Sequence, residues 1–350
     1  MQTPLCALGH IASLAELRRR GFGPREIAAL RTNPLCYQPR RGWYACAHLS
    51  SDEMVAVSCS GRIDCASALR ADKIWVGDVK GHLHLRLPGT GGRTTQRLRA
   101  TRRRVVAHWL RPRRRGDKLY VSVFDALRQA MDCLPPDDLI AAIESAVHLT
   151  KLTKEAALEL IASAPKRLRK VLREVDTEFR AQSGLETKVR LRFTRLGYHV
   201  EPQAYVPGVG HVDNLIENII ALETNGRDHE DSRSDDYYRD LGTEAWGIRV
   251  LIADPALIDE HWSVIQGVVE RTIAEVRQLR ALNGRDLDGA PRKARRHADR
   301  APESLPLGVR WAARPESEPP QLLGRQGSDG PPPPAVPPSR PSRPSGLRRR

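Results

Sequence analysis

Apolar residues in the C-terminal third of the chain switch between two spacings, and the switching predicts a row of elements. Ser183-Gly-Leu-Glu186 has the form of a capping box, and Leu185, Val189, Phe193 and Leu196 follow on one helical face. Gly197 ends that helix, and His199–Tyr205 reads as a strand. The stretch GVGHVDNLIENIIALETNGRDHE, Gly208 to Glu230, reads as two short apolar strands joined by a turn. A tight loop with Gly226 and His229 comes next. A polar helix to about Trp246, a strand at Gly247–Ile252 and a closing helix from His261 to about Leu282 complete the pattern. The order α-β-β-β-α-β-α predicts a mixed sheet flanked by helices.

Upstream, residues 10–48 predict a small helix-turn-helix unit with a wing. A helix over Ile11–Arg20 is broken by GFGP, and Pro24 opens a second helix ending near Thr32. LCYQPRRGWYACA then reads as a hairpin tipped by Arg40, Arg41 and Gly42. Residues 51–121 read as mixed α/β, with helices near Asp52–Ser58 and Cys65–Arg70 and strands at His82–Leu87 and Val105–Trp109. Residues 122–181 read as helical: VFDALRQAMDCL, Pro136–Leu149, Thr153–Ser163 with Thr153 as cap, and a basic helix over Pro165–Arg180. That run is a bundle or linker in which we see no chemistry. The expected domains are 1–50, 51–121, 122–181, 182–284 and a tail over 285–350.

Charge adds a partner to this picture. The formal net charge of +15 points to a polyanion, since the arginine fork suits phosphate. Part of it belongs to the tail. Residues 288–350 hold 13 Lys/Arg against 6 Asp/Glu and 14 of the 26 prolines, the composition of a disordered basic segment. The remainder keeps +8, so the basic bias survives. Arg86 to Arg115 contains eleven arginines and no acid, either a nucleic-acid surface or a mobile loop of solvated charge. Within it Arg102, Arg103 and Arg104, together with Arg40 and Arg41, are the candidate DNA contacts.

The six cysteines include no CxxC pair, and their spacing fits no usual zinc pattern. Scattered thiols fit a reducing cytosol. No signal-peptide pattern opens the chain, and no run approaches the roughly 20 apolar residues of a membrane span. The expectation is a cytoplasmic protein with no membrane partner.

Five C-terminal elements resemble, in order, the very-short-patch-repair-like branch of the restriction-endonuclease-like superfamily with a D…(D/E)xK site. They are Ser183 to Glu186, Gly210 to Asp213, Glu223-Thr-Asn225-Gly226 to His229, Asp236 to Asp240, and Gly247 to Leu251. The N-terminal part is similar to the winged-helix domain of AbiEi-type antitoxins. The resemblances cover about residues 5–280. Two positions depart: Asn225 stands where the branch has aspartate, and Tyr237 where it has arginine.

A carboxylate in an apolar strand is costly to desolvate unless it binds a cation, pairs or lies at an open edge, which singles out Asp213 and Glu223. Magnesium takes oxygen ligands and keeps several waters, so these two carboxylates and a substrate phosphate suffice for Mg²⁺ or Mn²⁺. Glu186 either holds a metal-bound water or only completes its capping box. Asn225, on the face of Glu223, can offer an amide oxygen but no charge. His229 orients a water or assists the leaving group, or simply starts a helix. A strict two-residue turn at Glu217-Asn218 would place Asp213 and Glu223 on opposite faces; a shared metal requires an odd loop or a bulge.

The sequence thus leads to an α+β or α/β protein: a winged helix-turn-helix, a helical linker and a restriction-endonuclease-like mixed sheet. The expected function is Mg²⁺-dependent DNA cleavage. The alternative is an antitoxin-like regulator with an inactive nuclease domain, acting with a toxin partner or on its promoter.

Overall fold

The computed structural model describes residues 2–79, 81–89, 92–109, 111–224 and 233–286. Asn225, His229 and nearly all of the expected tail lie outside them. The chain is mixed α+β, with helices around three small sheets.

At the N-terminus, β1 (Ile11–Ser13), β2 (Cys36–Arg40) and β3 (Trp43–Cys46) form an antiparallel sheet in the order β1-β3-β2. It packs with α1 (Leu14–Arg19) and α2 (Pro24–Thr32) around Leu17, Ile27, Leu30 and Tyr44. The expected first helix loses its opening residues to this sheet. Ser13 caps α1 by accepting the Glu16 N–H, so Ile11–Ser13 is left extended and pairs with Trp43–Ala45.

The largest core is built by α3 (Ser51–Ser58), β4 (Arg62–Ile63), α4 (Cys65–Ala71), β5 (Leu83–Arg86), α6 (Val123–Ala130), α7 (Pro136–His148) and α8 (Lys154–Ala162). Its sheet is β4-β5-β6, with β6 at Val105–His108 preceded by α5 (Gly92–Ala100). The boundary expected at 121/122 runs through this core, so the helices after it are no linker. The expected basic helix over Pro165–Arg180 is also absent. Leu168, Leu172, Val175 and Phe179 are buried at helical spacing, yet the backbone makes two 3₁₀ turns, Lys166–Leu168 and Val171–Glu174. Asp176 breaks the winding: its carboxylate accepts the N–H groups of Glu178 and Arg180, while its own N–H donates to Glu144.

The C-terminal elements follow the expected order, with one unexpected short helix inserted before the closing one. They are α9 (Gly184–Arg195), β7 (Val200–Val206), β8 (Gly210–Ile216), β9 (Ile220–Glu223), α10 (Arg233–Ala245) and β10 (Arg249–Ile252), then α11 (Pro255–Glu260) and α12 (Trp262–Asp286). The sheet order is β10-β9-β8-β7, parallel only between β10 and β9. Leu185, Val189 and Phe193 of α9 meet Ile216, Ile220 and Leu222 of the sheet and Ile265 and Val269 of α12. Leu196, expected on the same face, is instead exposed beside Gly197, whose φ of +89° ends the helix. Among the described residues no helix is long and apolar enough to cross a membrane.

Candidate functional site

The loop between β8 and β9 decides whether the two strand carboxylates meet. Ile216 pairs with Ile220, leaving the odd-length loop Glu217-Asn218-Ile219. Glu217 and Asn218 both take left-handed conformations, with φ of +54° and +53°, and the Ile219 N–H closes the turn on Ile216. In the resulting register Asn214 faces Leu222, which sets Asp213 opposite Glu223 on one sheet face. The β7/β8 register likewise sets Gln203 opposite Asp213. Gln203, Asp213 and Glu223 therefore form a row across three strands.

Side-chain bonds tie Glu186 to this row. Gln203 Nε2 donates to Glu186 Oε2 at 2.8 Å and to Asp213 Oδ1 at 3.2 Å. Thr224 holds the other Asp213 oxygen, from its N–H at 2.8 Å and its hydroxyl at 2.9 Å. Ser183 accepts the Glu186 N–H as expected of a cap, but the Glu186 carboxylate takes the Gln182 N–H at 2.8 Å, so the box is only half formed. Glu186 is thereby fixed beside Asp213 rather than turned back onto Ser183.

Among the described residues the site is short of positive charge. Burial raises the Glu186 carboxyl above its ordinary range, and the nearby Asp213 carboxylate adds to the rise. Burial and then Asp213 push Glu223 up to about 7, with Arg239 opposing and Asp240 adding to the effect. Arg239 lies 3.7 Å from Glu223 Oε1 and also donates to the His211 carbonyl. Glu223 Oε2 is buried, and among the described residues no donor reaches it. Gln203 and Thr224 are site residues that sequence reading passed over. Thr224 follows Glu223 directly and was open to a cross-strand argument; Gln203 was visible only once the register was known.

The candidate DNA contacts divide. Arg41 is exposed at the hairpin tip, and Arg102 and Arg104 are exposed; no partner of their side chains is found among the described residues. Arg40 stacks its guanidinium 4.3 Å from the Trp43 ring centroid and donates to Ser60 Oγ at 2.8 Å. Arg97 donates to the same hydroxyl at 3.2 Å, so two cations converge there. Arg103 is bound in a two-pronged pair with Asp52 at 2.8 and 3.0 Å. Arg86, counted in the basic stretch, is buried against Asp64 at 2.8 Å and is no part of the surface. Buried Asp125 accepts the backbone N–H groups of Arg113 and Arg114, which anchors the far end of that stretch.

Cysteines that share no zinc spacing in sequence nevertheless come together with histidines in space. The described residues contain two candidate metal-binding clusters, Cys6, His10, Cys46 and His48, and Cys65, His84, His108 and Cys133. The donor atoms of each lie within 4.8 Å of one another. The first joins two local pairs, Cys6 with His10 and Cys46 with His48, that are far apart in sequence; the ligands of the second come from four separate stretches of chain.

Comparison with family models finds no match, and comparison with curated proteins finds none. Among solved structures the chain is similar to the crystal structure of the RV2827C protein from Mycobacterium tuberculosis. The likeness has 16% identity over 52% of this chain and 75% of that one, at a TM-score of 0.27, and bears on neither fold nor function.

Proposed function

We propose that the chain binds DNA through its N-terminal half and cleaves phosphodiesters at the Glu186–Asp213–Glu223 centre with Mg²⁺ or Mn²⁺. The observation that carries this reading is the cross-strand placement of Asp213 beside a buried Glu223, one oxygen of which no donor among the described residues reaches. An all-oxygen donor set with surplus negative charge fits a hard divalent cation better than a soft one. Asp213 and Glu223 would hold the ion, and Glu186 would orient a water from α9. When bound, the ion would polarise the phosphoryl oxygen and lower the pKa of water. The protein's own part is to fix the carboxylates: Thr224 and Gln203 lock Asp213, and burial keeps Glu223 dry. A cleavage assay on mixed DNA substrates with Mg²⁺ or Mn²⁺ tests the reading, and absence of cleavage with both ions overturns it.

The DNA-binding half of the proposal rests on Arg41, Arg102, Arg104 and the Arg40–Arg97 pair at Ser60. The full chain is expected to bind duplex DNA with affinity falling steeply as salt rises. Arg40→Ala with Arg41→Ala should weaken binding across sequences and flatten the salt slope by about one unit for each phosphate no longer neutralised. Fluorescence anisotropy over a salt series measures both. Affinity that ignores salt and both substitutions would rule the surface out.

A second reading, an antitoxin-like regulator with an inactive nuclease domain, is favoured by Asn225 and by Arg239, a cation already beside Glu223. The substitution Asn225→Asp separates the two, because it adds charge with almost no change of size. A weakened nuclease should gain Mn²⁺ affinity and nick plasmid faster; a scaffold should gain no nicking. Calorimetry beside a nicking assay reads the difference.

A further inference from the structure

We propose that Cys6, His10, Cys46 and His48 hold one zinc ion, which fastens the N-terminal residues to the end of β3. His10 Nδ1 lies 3.2 Å from Cys46 Sγ, and His48 Nδ1 lies 3.4 Å from Cys46 Sγ and 3.6 Å from Cys6 Sγ. A tetrahedral zinc with bonds of about 2.3 Å to sulfur and 2.0–2.1 Å to nitrogen has sulfur–nitrogen edges of about 3.5 Å. The three contacts match that edge. Two thiolates and two imidazoles make a closed, structural set that leaves no position for substrate.

The surroundings have the features of a ligand's outer shell. Thr3 points its N–H at Cys6 Sγ from 3.3 Å, with its hydroxyl 3.4 Å away. His10 is left-handed, with φ +66°, directly after Gly9 at +76°. The Gly9 N–H on the Cys6 carbonyl and the His10 N–H on the Leu5 carbonyl, at 3.2 and 2.8 Å, hold this turn. Here the turn aims the ring at Cys46, whose strand pairs with β2 at Cys36. The ion would bind the chain before β1 to the chain after β3, on the hairpin that presents Arg41.

The second cluster carries a second zinc on independent grounds. Cys65, His84 and His108 are buried in the largest core, with Cys133 at its margin. His84 Nδ1 lies 3.0 Å from His108 Nε2, and Cys133 Sγ lies 3.9 Å from the same Nε2. Cys65 is also left-handed, with φ +49°. A divalent ion with two thiolates is neutral, the charge state that an apolar core tolerates.

The test is zinc stoichiometry of the full chain, purified with zinc present and without chelators, by native mass spectrometry and elemental analysis. Two zinc ions per chain are expected. Cys6→Ser with His48→Ala should remove one and leave the other, while His108→Ala with Cys133→Ser should remove the other. Replacement by Co²⁺ guards against loss of folding in the core variant. Wild-type protein should show the intense visible absorption of tetrahedral thiolate–imidazole Co²⁺, and the Cys6/His48 variant about half of it. A metal-free chain, or one with Cys6–Cys46 or Cys65–Cys133 joined as disulfides, overturns the proposal. Zinc content unmoved by a pair of substitutions overturns that site.

Discussion

Replacing Glu223 with glutamine is expected to abolish cleavage and to flatten the pH dependence of Mn²⁺ binding. The substitution keeps size and one carbonyl oxygen but takes away the charge that a divalent cation needs. In the free protein, burial first and Asp213 second push the Glu223 carboxyl from 4.5 up to about 7. A raised folded pKa means that the contribution of this group to stability is fully present below about 4.5 and lost as pH rises through about 7. The shift corresponds to on the order of 3 kcal/mol between the two protonation states. A bound cation reverses the sign above pH 7, because it favours the ionised form that burial disfavours. Mn²⁺ should therefore raise the melting temperature strongly at pH 8 and little at pH 5, and Glu223→Gln should flatten that difference. Calorimetry and thermal melts at both pH values measure it. Nicking that survives Glu223→Gln, or equal Mn²⁺ affinity at both pH values in the wild type, would sink the site assignment.

The elements that carry this centre were legible because periodicity and glycine placement agree along them. Leu185, Val189 and Phe193 give α9, Gly197 ends it, and the apolar strands around Asp213 form next to one another. What the sequence left open was loop parity. Whether Asp213 and Glu223 share a face turns on Ile219 standing as an extra loop residue, so that Ile216 pairs with Ile220; the positive φ of Glu217 and Asn218 makes the turn but does not set its parity. Arg86 was misjudged for a different reason. A buried arginine in a strand has the same letter as a solvated one, and only Asp64 and Asp125, distant in sequence, explain its place. The core Cys and His cluster was hidden in the same way. Cys65, His84, His108 and Cys133 come from α4, β5, β6 and the turn after α6, and only the packed core brings them together.

Glu144→Ala should be among the most destabilising single substitutions in the chain, at about 3–5 kcal/mol, the range for breaking a buried ion pair. Glu144 is fully buried on α7 and joins the largest core to α9. Arg190 of α9 donates to its Oε1 at 2.6 Å, Thr187 of α9 to its Oε2 at 2.6 Å, and the Asp176 N–H to its Oε1 at 2.8 Å. Truncation strands the Arg190 guanidinium without a counter-charge and leaves the Asp176 N–H without an acceptor, while the Thr187 hydroxyl keeps only the Ser183 carbonyl at 3.4 Å. Against a total stability of roughly 5–15 kcal/mol for a folded domain, that loss is large. Glu144→Gln should cost less, since it keeps an oxygen for hydrogen bonding. Glu144→Leu with Arg190→Met should recover much of the loss, because an apolar pair of similar volume avoids the desolvation cost of both ions. Urea unfolding of the wild type, Glu144→Leu, Arg190→Met and the double variant gives the coupling energy of the pair. A Glu144→Ala variant within about 1 kcal/mol of wild type would mean that the guanidinium escapes to solvent and that α7 and α9 are held by apolar contacts alone.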